Sequence, residues 1–266
     1  YIYNHPSWAG TGNDLGSIFG LAMDELGNIY VSTTKTWNGG DPVGIGGWGA
    51  IYKIDTNDAS ISVWATLPMP NSESGLGSIT YDCEHSQFFA TSFEDGLIYR
   101  LDMSGNILDS FDHGVPYTGN PGPVAFGNRP WAVEVNGDRL YYSMWNGNLN
   151  DFSSMPNEIW SIALTGPGMP IAGTEQLEIT LPPFDSNSWS SPIADIDFSP
   201  TKGTMVLGER AQSTITGLSA HQARVFEYEC TDIGWTQTSH VFGIGTNGTD
   251  AAGGVDATEE YVWASG

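Results

Sequence analysis

The chain has 266 residues, with 8 basic side chains against 31 acidic ones and a formal net charge of −23. A field of that sign repels phosphate, so nucleic acid and anionic membranes are poor partners, although an acidic surface also serves solubility alone. No window of about 18 apolar residues is present, which argues against membrane insertion. The first residues, YIYNHPSW, lack the pattern of a signal peptide, and we expect a processed chain or a segment of a larger secreted protein.

A strand–turn–strand pattern recurs five times along the chain. Its copies are FGLAMDELGNIYVST, GSITYDCEHSQFFATS, WAVEVNGDRLYYSMW, ADIDFSPTKGTMVLGE and GGVDATEEYVWASG. Equivalent core positions are predicted 54 to 63 residues apart, at Met23, Tyr81, Val135, Phe198 and Val255. A repeat of this length made of short strands is typical of a β-propeller, in which each unit forms one four-stranded sheet, or blade.

The first unit predicts four strands, at roughly 18–23, 28–34, 49–55 and 60–66. A second signal recurs at the third strand of each unit, where an aromatic residue stands among apolar neighbours in AIYKID, LIYRLD, EIWSIAL and RVFEYEC. The alternation of side chains in these runs favours half-buried strands that pack against a neighbouring sheet. The whole of 1–266 is therefore predicted to be one all-β domain.

The fifth unit ends after YVWASG, so its blade lacks strands of its own. The N-terminal residues YIYNH resemble the third-strand motif AIYKI. We therefore expect the N-terminal strand to join the C-terminal blade and close the ring, which removes exposed sheet edges. The prediction is five blades of about four antiparallel strands, with six as the alternative.

Several turns between the strands contain Asp, Asn and Gly, such as 24–28 (DELGN) and 103–106 (MSGN). These residues suit the left-handed positions of hairpin turns. A calcium loop would need a longer acidic spacing with a terminal Glu, so the hairpin interpretation is preferred.

The longest predicted loops fall on one face of the propeller, between strands two and three and between blades. Binding residues usually lie on such loops. They contain flat rings beside amide groups, a combination that suits a neutral sugar. The candidate ligand-binding residues are Trp37, Trp48, Tyr117, Trp145, Asn146 and Trp189. The alternative is that these rings pack onto the sheets, since Trp is buried on average.

Two basic residues and a histidine stand out in one corner of this acidic chain. Arg210 and His221 bracket a long loop of the fourth unit, and Arg224 follows it. One hypothesis is that this group holds an anionic part of a ligand. The alternative is that these side chains pair with local carboxylates and anchor the loop.

Three acidic residues lie on the inner strands, on the register predicted to face a central channel. They are Glu134, Asp195 and Asp197. Carboxylates that are clustered in a narrow channel repel one another unless a cation or protons compensate, so a Ca²⁺ site is one hypothesis. The other is that they accept hydrogen bonds from backbone N–H groups or water.

No sequence motif of a hydrolase, metalloprotease or nucleotide-binding site is present. The five histidines are scattered without the spacing of metal ligands. The two cysteines, Cys83 and Cys230, belong to units two apart, and a disulfide between them is not expected.

The stretches GSITYDCEHSQFFATSFEDGLIYRLDMSGNIL and SPIADIDFSPTKGTMVLGERA resemble propeller modules of large secreted or surface-anchored bacterial proteins of the adhesin type. More distantly, GLAMDELGNIYVS is similar to the repeat of NHL and gluconolactonase-type propellers. Those lactonases hold a metal at the channel mouth through a Glu, an Asn and an Asp. The resemblance implies Glu134 and Asp195 as counterparts, with no residue matched to the remaining ligand.

These observations predict a non-enzymatic binding module, secreted or displayed on a bacterial surface. Its expected partner is a glycan or a cell-surface protein, bound at the long-loop face, together with flanking domains of the same polypeptide. One alternative is a metal-dependent hydrolase or lactonase whose site lies at the channel. Another is a structural spacer domain without a ligand.

Overall fold

The computed structural model describes residues 15–35, 43–69, 74–114, 124–125, 127–147, 155–183, 190–201, 203–211, 223–246 and 248–265. The chain forms two compact units, Tyr1–Val124 and Ala125–Gly266. All of the regular structure described is β-strand, and no described helix could cross a membrane.

Unit 1 contains two four-stranded antiparallel sheets, each with its strands in chain order. Sheet 1 consists of β1 (Ile18–Met23), β2 (Ile29–Thr33), β3 (Ala50–Ile54) and β4 (Ile61–Thr66). Sheet 2 consists of β5 (Leu76–Asp82), β6 (Gln87–Ser92), β7 (Leu97–Asp102) and β8 (Ile107–Asp112).

Unit 2 repeats this arrangement twice and adds a smaller sheet. Sheet 3 consists of β9 (Pro130–Asn136), β10 (Arg139–Met144), β11 (Glu158–Ala163) and β12 (Gln176–Thr180). Sheet 4 consists of β13 (Ile193–Phe198), β14 (Thr204–Glu209), β15 (Val225–Thr231) and β16 (Gly234–Gln237). Sheet 5 has only β17 (Val255–Ala257) and β18 (Val262–Ala264).

The fold class is the predicted all-β propeller type, and the predicted strands of the first unit agree with the structure to within one residue at each end. The predicted count of five or six blades is wrong. The described residues form four blades of four strands, and the fifth repeat supplies two strands of three residues each. The N-terminal strand that was predicted to complete it lies outside the described residues.

The strand register defines which residues of the repeats are equivalent. Met23 pairs with Ile29, Tyr81 with Phe88, Val135 with Leu140 and Phe198 with Met205. In sheet 5 the matching pair is Ala257 with Val262, so the predicted equivalent, Val255, is two residues too early. Met23 was also predicted to lie in the core, but it is 60% exposed.

Successive sheets within a unit pack through aromatic and aliphatic side chains. In unit 1, Tyr30 of sheet 1 lies 4.4 Å from Phe88 of sheet 2, measured between ring centroids. In unit 2, Tyr141 of sheet 3 lies 4.9 Å from Phe198 of sheet 4. Burial of such rings supplies most of the free energy that holds adjacent sheets together.

Hydroxyl groups on the second strand of a blade stabilise a bulge in its first strand. Ser32 Oγ accepts the Gly20 N–H at 3.1 Å and donates to the Gly77 carbonyl of the next sheet at 2.9 Å. Ser143 Oγ likewise accepts the Ala132 N–H at 2.9 Å. Each bulge interrupts the backbone hydrogen bonds between strands one and two and leaves one N–H without a backbone partner. The hydroxyl accepts the hydrogen bond of that N–H.

The Asp residues of the hairpin turns are structural. Asp24 Oδ1 accepts the N–H groups of Leu26 and Asn28, both at 2.9 Å, and Oδ2 accepts the Tyr30 hydroxyl at 3.0 Å. Burial opposes ionisation here, but the hydrogen bond from the Asn28 side chain to Oδ2, at 2.8 Å, and the three others outweigh it and hold the pKa of Asp24 below its usual value. The hairpin interpretation of the turn at 24–28 is thereby confirmed.

Candidate functional site

Four of the predicted ligand-binding residues lie outside the described residues. They are Trp37, Tyr117, Trp189 and His221. The described part of the predicted binding face therefore rests on Trp48 in unit 1 and on Trp145, Asn146 and Arg210 in unit 2.

Trp48 belongs to the hydrophobic core of unit 1. Its side chain is 7% exposed and packs in the cluster between sheets 1 and 2. The Lys35 ammonium group lies 5.6 Å from the ring centroid, a cation–π distance. The ring therefore stabilises the fold, as in the alternative drawn from the sequence.

Trp145 is fully buried, at 0% exposure. Its indole N–H donates to Gly147 O at 2.9 Å and to Ser190 Oγ at 3.0 Å, so it joins the end of β10 to the segment before β13. The Trp131 ring lies 5.7 Å away and the Arg129 guanidinium 5.0 Å from the ring centroid. A ring that is enclosed in this way has no face for a sugar to stack on.

Asn146 is half-buried and belongs to a polar group at the start of β11. Its Nδ2 donates to Pro156 O at 3.0 Å and to Glu158 Oε2 at 2.8 Å, and its backbone N–H donates to Asn157 Oδ1 at 3.0 Å. Glu158 Oε2 also accepts the Trp160 indole N–H at 2.9 Å. We call Asn146, Asn157, Glu158 and Trp160 the rim cluster.

The rim cluster places an amide, a carboxylate and an indole ring together at one end of sheet 3. Glu158 and Trp160 are both half-buried and are two residues apart, so they share one face of β11. Neither was predicted as a site residue. The signal was present in the third-strand motif EIWSIAL, whose Glu and Trp lie on either side of an apolar residue, Ile159.

Arg224 pairs with a buried carboxylate, as the alternative from the sequence anticipated. Its Nε and Nη2 donate to Glu209 at 2.8 and 2.7 Å, and Nη2 also donates to Pro182 O at 2.9 Å. Burial raises the pKa of Glu209, and the hydrogen bonds and charge of Arg224 oppose that shift. This pair fixes the start of β15 to the end of β14.

Arg210 is 1% exposed and follows β14 directly. Its Nη1 donates to Ala252 O at 2.6 Å. Burial lowers the pKa of its guanidinium to about 10, because a charged group in the interior loses hydration. Arg210 therefore connects sheet 4 to the segment that leads into sheet 5.

Asp195 and Asp197 bind the backbone of the neighbouring sheet. Asp195 Oδ2 accepts the Val255 N–H at 3.0 Å, and Asp197 Oδ2 accepts the Ala257 N–H. The two carboxylates thus accept N–H groups along β17 that the carbonyl groups of a paired strand would otherwise accept. Burial, with the nearby Asp197 and Asp256 carboxylates, raises the pKa of Asp195 to about 7, and burial raises that of Asp197 to about 6.

Glu134, the third predicted metal ligand, lies on β9 and is half-buried. Its Oε1 accepts the neighbouring Val135 N–H at 3.0 Å. In the described part of the chain, no group of three His, Cys, Asp or Glu residues is arranged to hold a metal ion. The hydrogen-bonded alternative describes these carboxylates, and the Ca²⁺ site stays a prediction.

Asp256 was missed by the sequence interpretation. It pairs with Trp263, as Asp197 pairs with Val206, so it is the true equivalent of Asp197 in the fifth repeat. The two-residue error in aligning Val255 concealed it. Ser265 could have corrected the alignment, because it accepts the Gly254 N–H at 2.9 Å as Ser32 accepts that of Gly20.

No protein-family profile and no curated protein sequence matches this chain. Among solved structures, it is similar to a chain of a nidogen/laminin complex, with a TM-score of 0.58 and 12% identity over 94% of this chain and 72% of the other. A gluconolactonase from Xanthomonas campestris gives a TM-score of 0.58 with 12% identity, covering 98% of this chain and 77% of the other.

Virginiamycin B lyase from Staphylococcus aureus gives a TM-score of 0.53 with 15% identity, covering 96% of this chain and 64% of the other. At such identities the likeness concerns the fold alone. Enzymes and a chain from a protein–protein complex share this propeller fold, so the fold does not choose between catalysis and binding.

Proposed function

We propose that this protein is a non-enzymatic binding domain for a neutral glycan, secreted or displayed on a bacterial surface. The observation that carries the proposal is the rim cluster, where the Trp160 ring and the polar groups of Asn146 and Glu158 lie together at one end of sheet 3. Aromatic faces stack on sugar rings, and amides and carboxylates bind their hydroxyl groups.

The charge of the chain supports a neutral ligand. With a net charge of −23, the protein repels sulfated or carboxylated glycans at a distance. The predicted loop aromatics Trp37, Tyr117 and Trp189 add further stacking surfaces in this proposal. Trp48 and Trp145 are left out of it because both are buried.

A glycan array with the wild type and Glu158→Gln tests the proposal. The substitution keeps the size of the side chain but removes its charge and weakens its hydrogen bonds, so we expect binding to fall by about tenfold, which is 1.4 kcal/mol. Glu229→Gln is the matched control, because Glu229 is exposed on β15, and it should bind like the wild type. The proposal would be refuted if the wild type bound no neutral glycan on the array.

The rival function is a metal-dependent hydrolase or lactonase that uses Glu134, Asp195 and Asp197. Each of these carboxylates already accepts a backbone N–H, which leaves fewer lone pairs for a cation. A panel of lactones assayed with and without a chelator separates the two functions. Turnover that the chelator abolishes would favour the enzyme, and a domain inert in both assays would favour the structural spacer.

A further inference from the structure

The hairpin between β9 and β10 presents an exposed Asn–Gly pair. Asn136 pairs with Arg139, so Gly137 and Asp138 form the turn between the two strands. Asn136, Gly137 and Asp138 are all exposed. Gly137 has a φ of 60°, as is typical of glycine at the first central position of a type II′ hairpin turn.

The side-chain amide of Asn136 and the N–H of Gly137 are both accessible. Within the described ranges of the chain, neither group makes a hydrogen bond. A Cβ atom at Gly137 would meet nothing within 4 Å, so the space around the turn is open. Because glycine has no Cβ of its own, the Gly137 nitrogen can approach Cγ of Asn136 without steric hindrance.

Asn146 and Gly147 form the same dipeptide in the same unit, but in contrasting surroundings. Asn146 is half-buried, and its Nδ2 donates to Pro156 O at 3.0 Å and to Glu158 Oε2 at 2.8 Å. Gly147 is buried, and its carbonyl accepts the Trp145 indole N–H at 2.9 Å. The amide of Asn146 is therefore held away from the nitrogen of the next residue.

We propose that Asn136 is a site of spontaneous deamidation and that Asn146 is protected from the same reaction. The Gly137 nitrogen attacks Cγ of Asn136. The new N–Cγ bond forms, the Cγ–Nδ2 bond breaks, and ammonia leaves with the proton of the Gly137 N–H. Water then opens the cyclic imide, at the side-chain carbonyl to leave Asp or at the main-chain carbonyl to leave isoaspartate. This inference does not depend on glycan binding.

The two products differ in their effect on sheet 3. Both place a new carboxylate beside Asp138, in a chain that is already strongly acidic. Only isoaspartate lengthens the main chain, because the backbone then runs through the side-chain carbon of residue 136. We expect this to disturb the pairing with Arg139, whose Nε donates to Ser161 Oγ at 2.8 Å. The isoaspartate form should therefore be the less stable of the two.

Incubation of the folded protein at mildly alkaline pH, followed by tryptic peptide mapping, tests the proposal. The chain contains four Asn–Gly pairs, and the positions of Lys and Arg place them on separate tryptic peptides. We expect Asn136 to be converted about tenfold faster than Asn146 or more, because two hydrogen bonds must break before Asn146 can react. Water enriched in heavy oxygen during the incubation marks conversion that precedes digestion.

A variant and a denatured sample provide the controls. Asn136→Gln lengthens the side chain and disfavours the cyclic imide. It should fold like the wild type by circular dichroism, since residue 136 is exposed, and it should remain unconverted there while Asn146 behaves as before. In urea, Asn136 and Asn146 should react at similar rates, because their hydrogen bonds are lost. An Asn136 that reacts only in urea, or a folded protein in which Asn146 reacts as fast as Asn136, would overturn the proposal.

Discussion

The hydroxyl group of Ser143 donates a 2.7 Å hydrogen bond to the carbonyl oxygen of Ile193, which begins the first strand of the next sheet. The same oxygen accepts the Ala132 N–H within its own sheet. One buried side chain therefore satisfies a bulge and joins two sheets of unit 2.

Replacing Ser143 with Ala should destabilise the protein, because the Ala132 N–H and the Ile193 carbonyl each lose a buried partner. We expect the free energy of unfolding to fall by about 1–3 kcal/mol. Denaturation by urea, followed by fluorescence, measures the change. Ser62→Ala is the control, since Ser62 is exposed on β4, and it should change stability by less than about 0.5 kcal/mol.

Gly208 occupies the position of Ser143 in the fourth repeat and should not tolerate a side chain. A Cβ atom there would lie 2.5 Å from Gly253 O and 2.9 Å from Val255 Cγ1. We expect Gly208→Ala to lower the free energy of unfolding by about 1–3 kcal/mol through overpacking. Gly243→Ala is the matched control, because a Cβ at Gly243 meets nothing within 4 Å, and an equal loss in both variants would contradict this explanation.

Arg224→Ala should be more destabilising than the loss of a surface ion pair, because Glu209 is 1% exposed and would keep the N–H of residue 224 but lose its charged partner. The expected loss is about 3–5 kcal/mol. Lys53→Ala breaks the pair with Asp55, whose side chains are 29% and 33% exposed, and should cost less than about 1 kcal/mol. Thermal and urea unfolding of both variants make the comparison, and similar losses would contradict a special role for Glu209.

The attachment of sheet 5 should weaken as the pH rises. The pKa of Asp195 is about 7 and that of Asp197 about 6 in the folded protein, against 3.8 for an ordinary Asp. An acid that binds its proton more tightly when folded stabilises the fold at pH values below 3.8, and this contribution is lost as the pH rises through 6 to 7. Ionisation then brings the Asp195, Asp197 and Asp256 charges together.

Hydrogen exchange of the Val255 and Ala257 amides measures this effect directly. Protection of both should decrease between about pH 5 and 8 once the intrinsic rate is subtracted, and Asp195→Asn should flatten the profile for Val255. Asp24 serves as an internal comparison, because its pKa is lowered and its contribution has the opposite sign. Protection that rises with pH, or that falls when a chelator is added at neutral pH, would contradict the assignment and favour a bound cation.

The blades could be predicted from the sequence because the alternation of side chains is strong in the first and third strands. The boundaries of β1 to β4 agree with the prediction to within a residue. The fifth repeat was misaligned because Val255 and Ala257 are both small apolar residues on one face of β17, and alternation cannot distinguish a shift of two. The predicted number of blades was wrong because β17 and β18 have only three residues each, and strands of that length are too short to show a clear alternation of side chains.

The candidate site was less predictable than the fold. An indole ring can either pack in a hydrophobic core or stack on a sugar. Only the three-dimensional contacts show that Trp145 is enclosed while Trp160 is half-buried. The roles of Asp195 and Asp197 depend on N–H groups that are 60 residues away in the sequence. No local pattern could reveal those partners.

The main chain at Gly253 lies so close to Gly208 that the fourth repeat fits only in front of a segment that approaches it in this way. Repeats one to three have a hydroxyl at this position, from Ser32, Thr91 and Ser143, and the fourth has none, so their sequences are better templates for duplication than the fourth. An engineered array lengthened with copies of the fourth repeat would need a similarly intruding main chain after each copy, or it would leave a void at every junction.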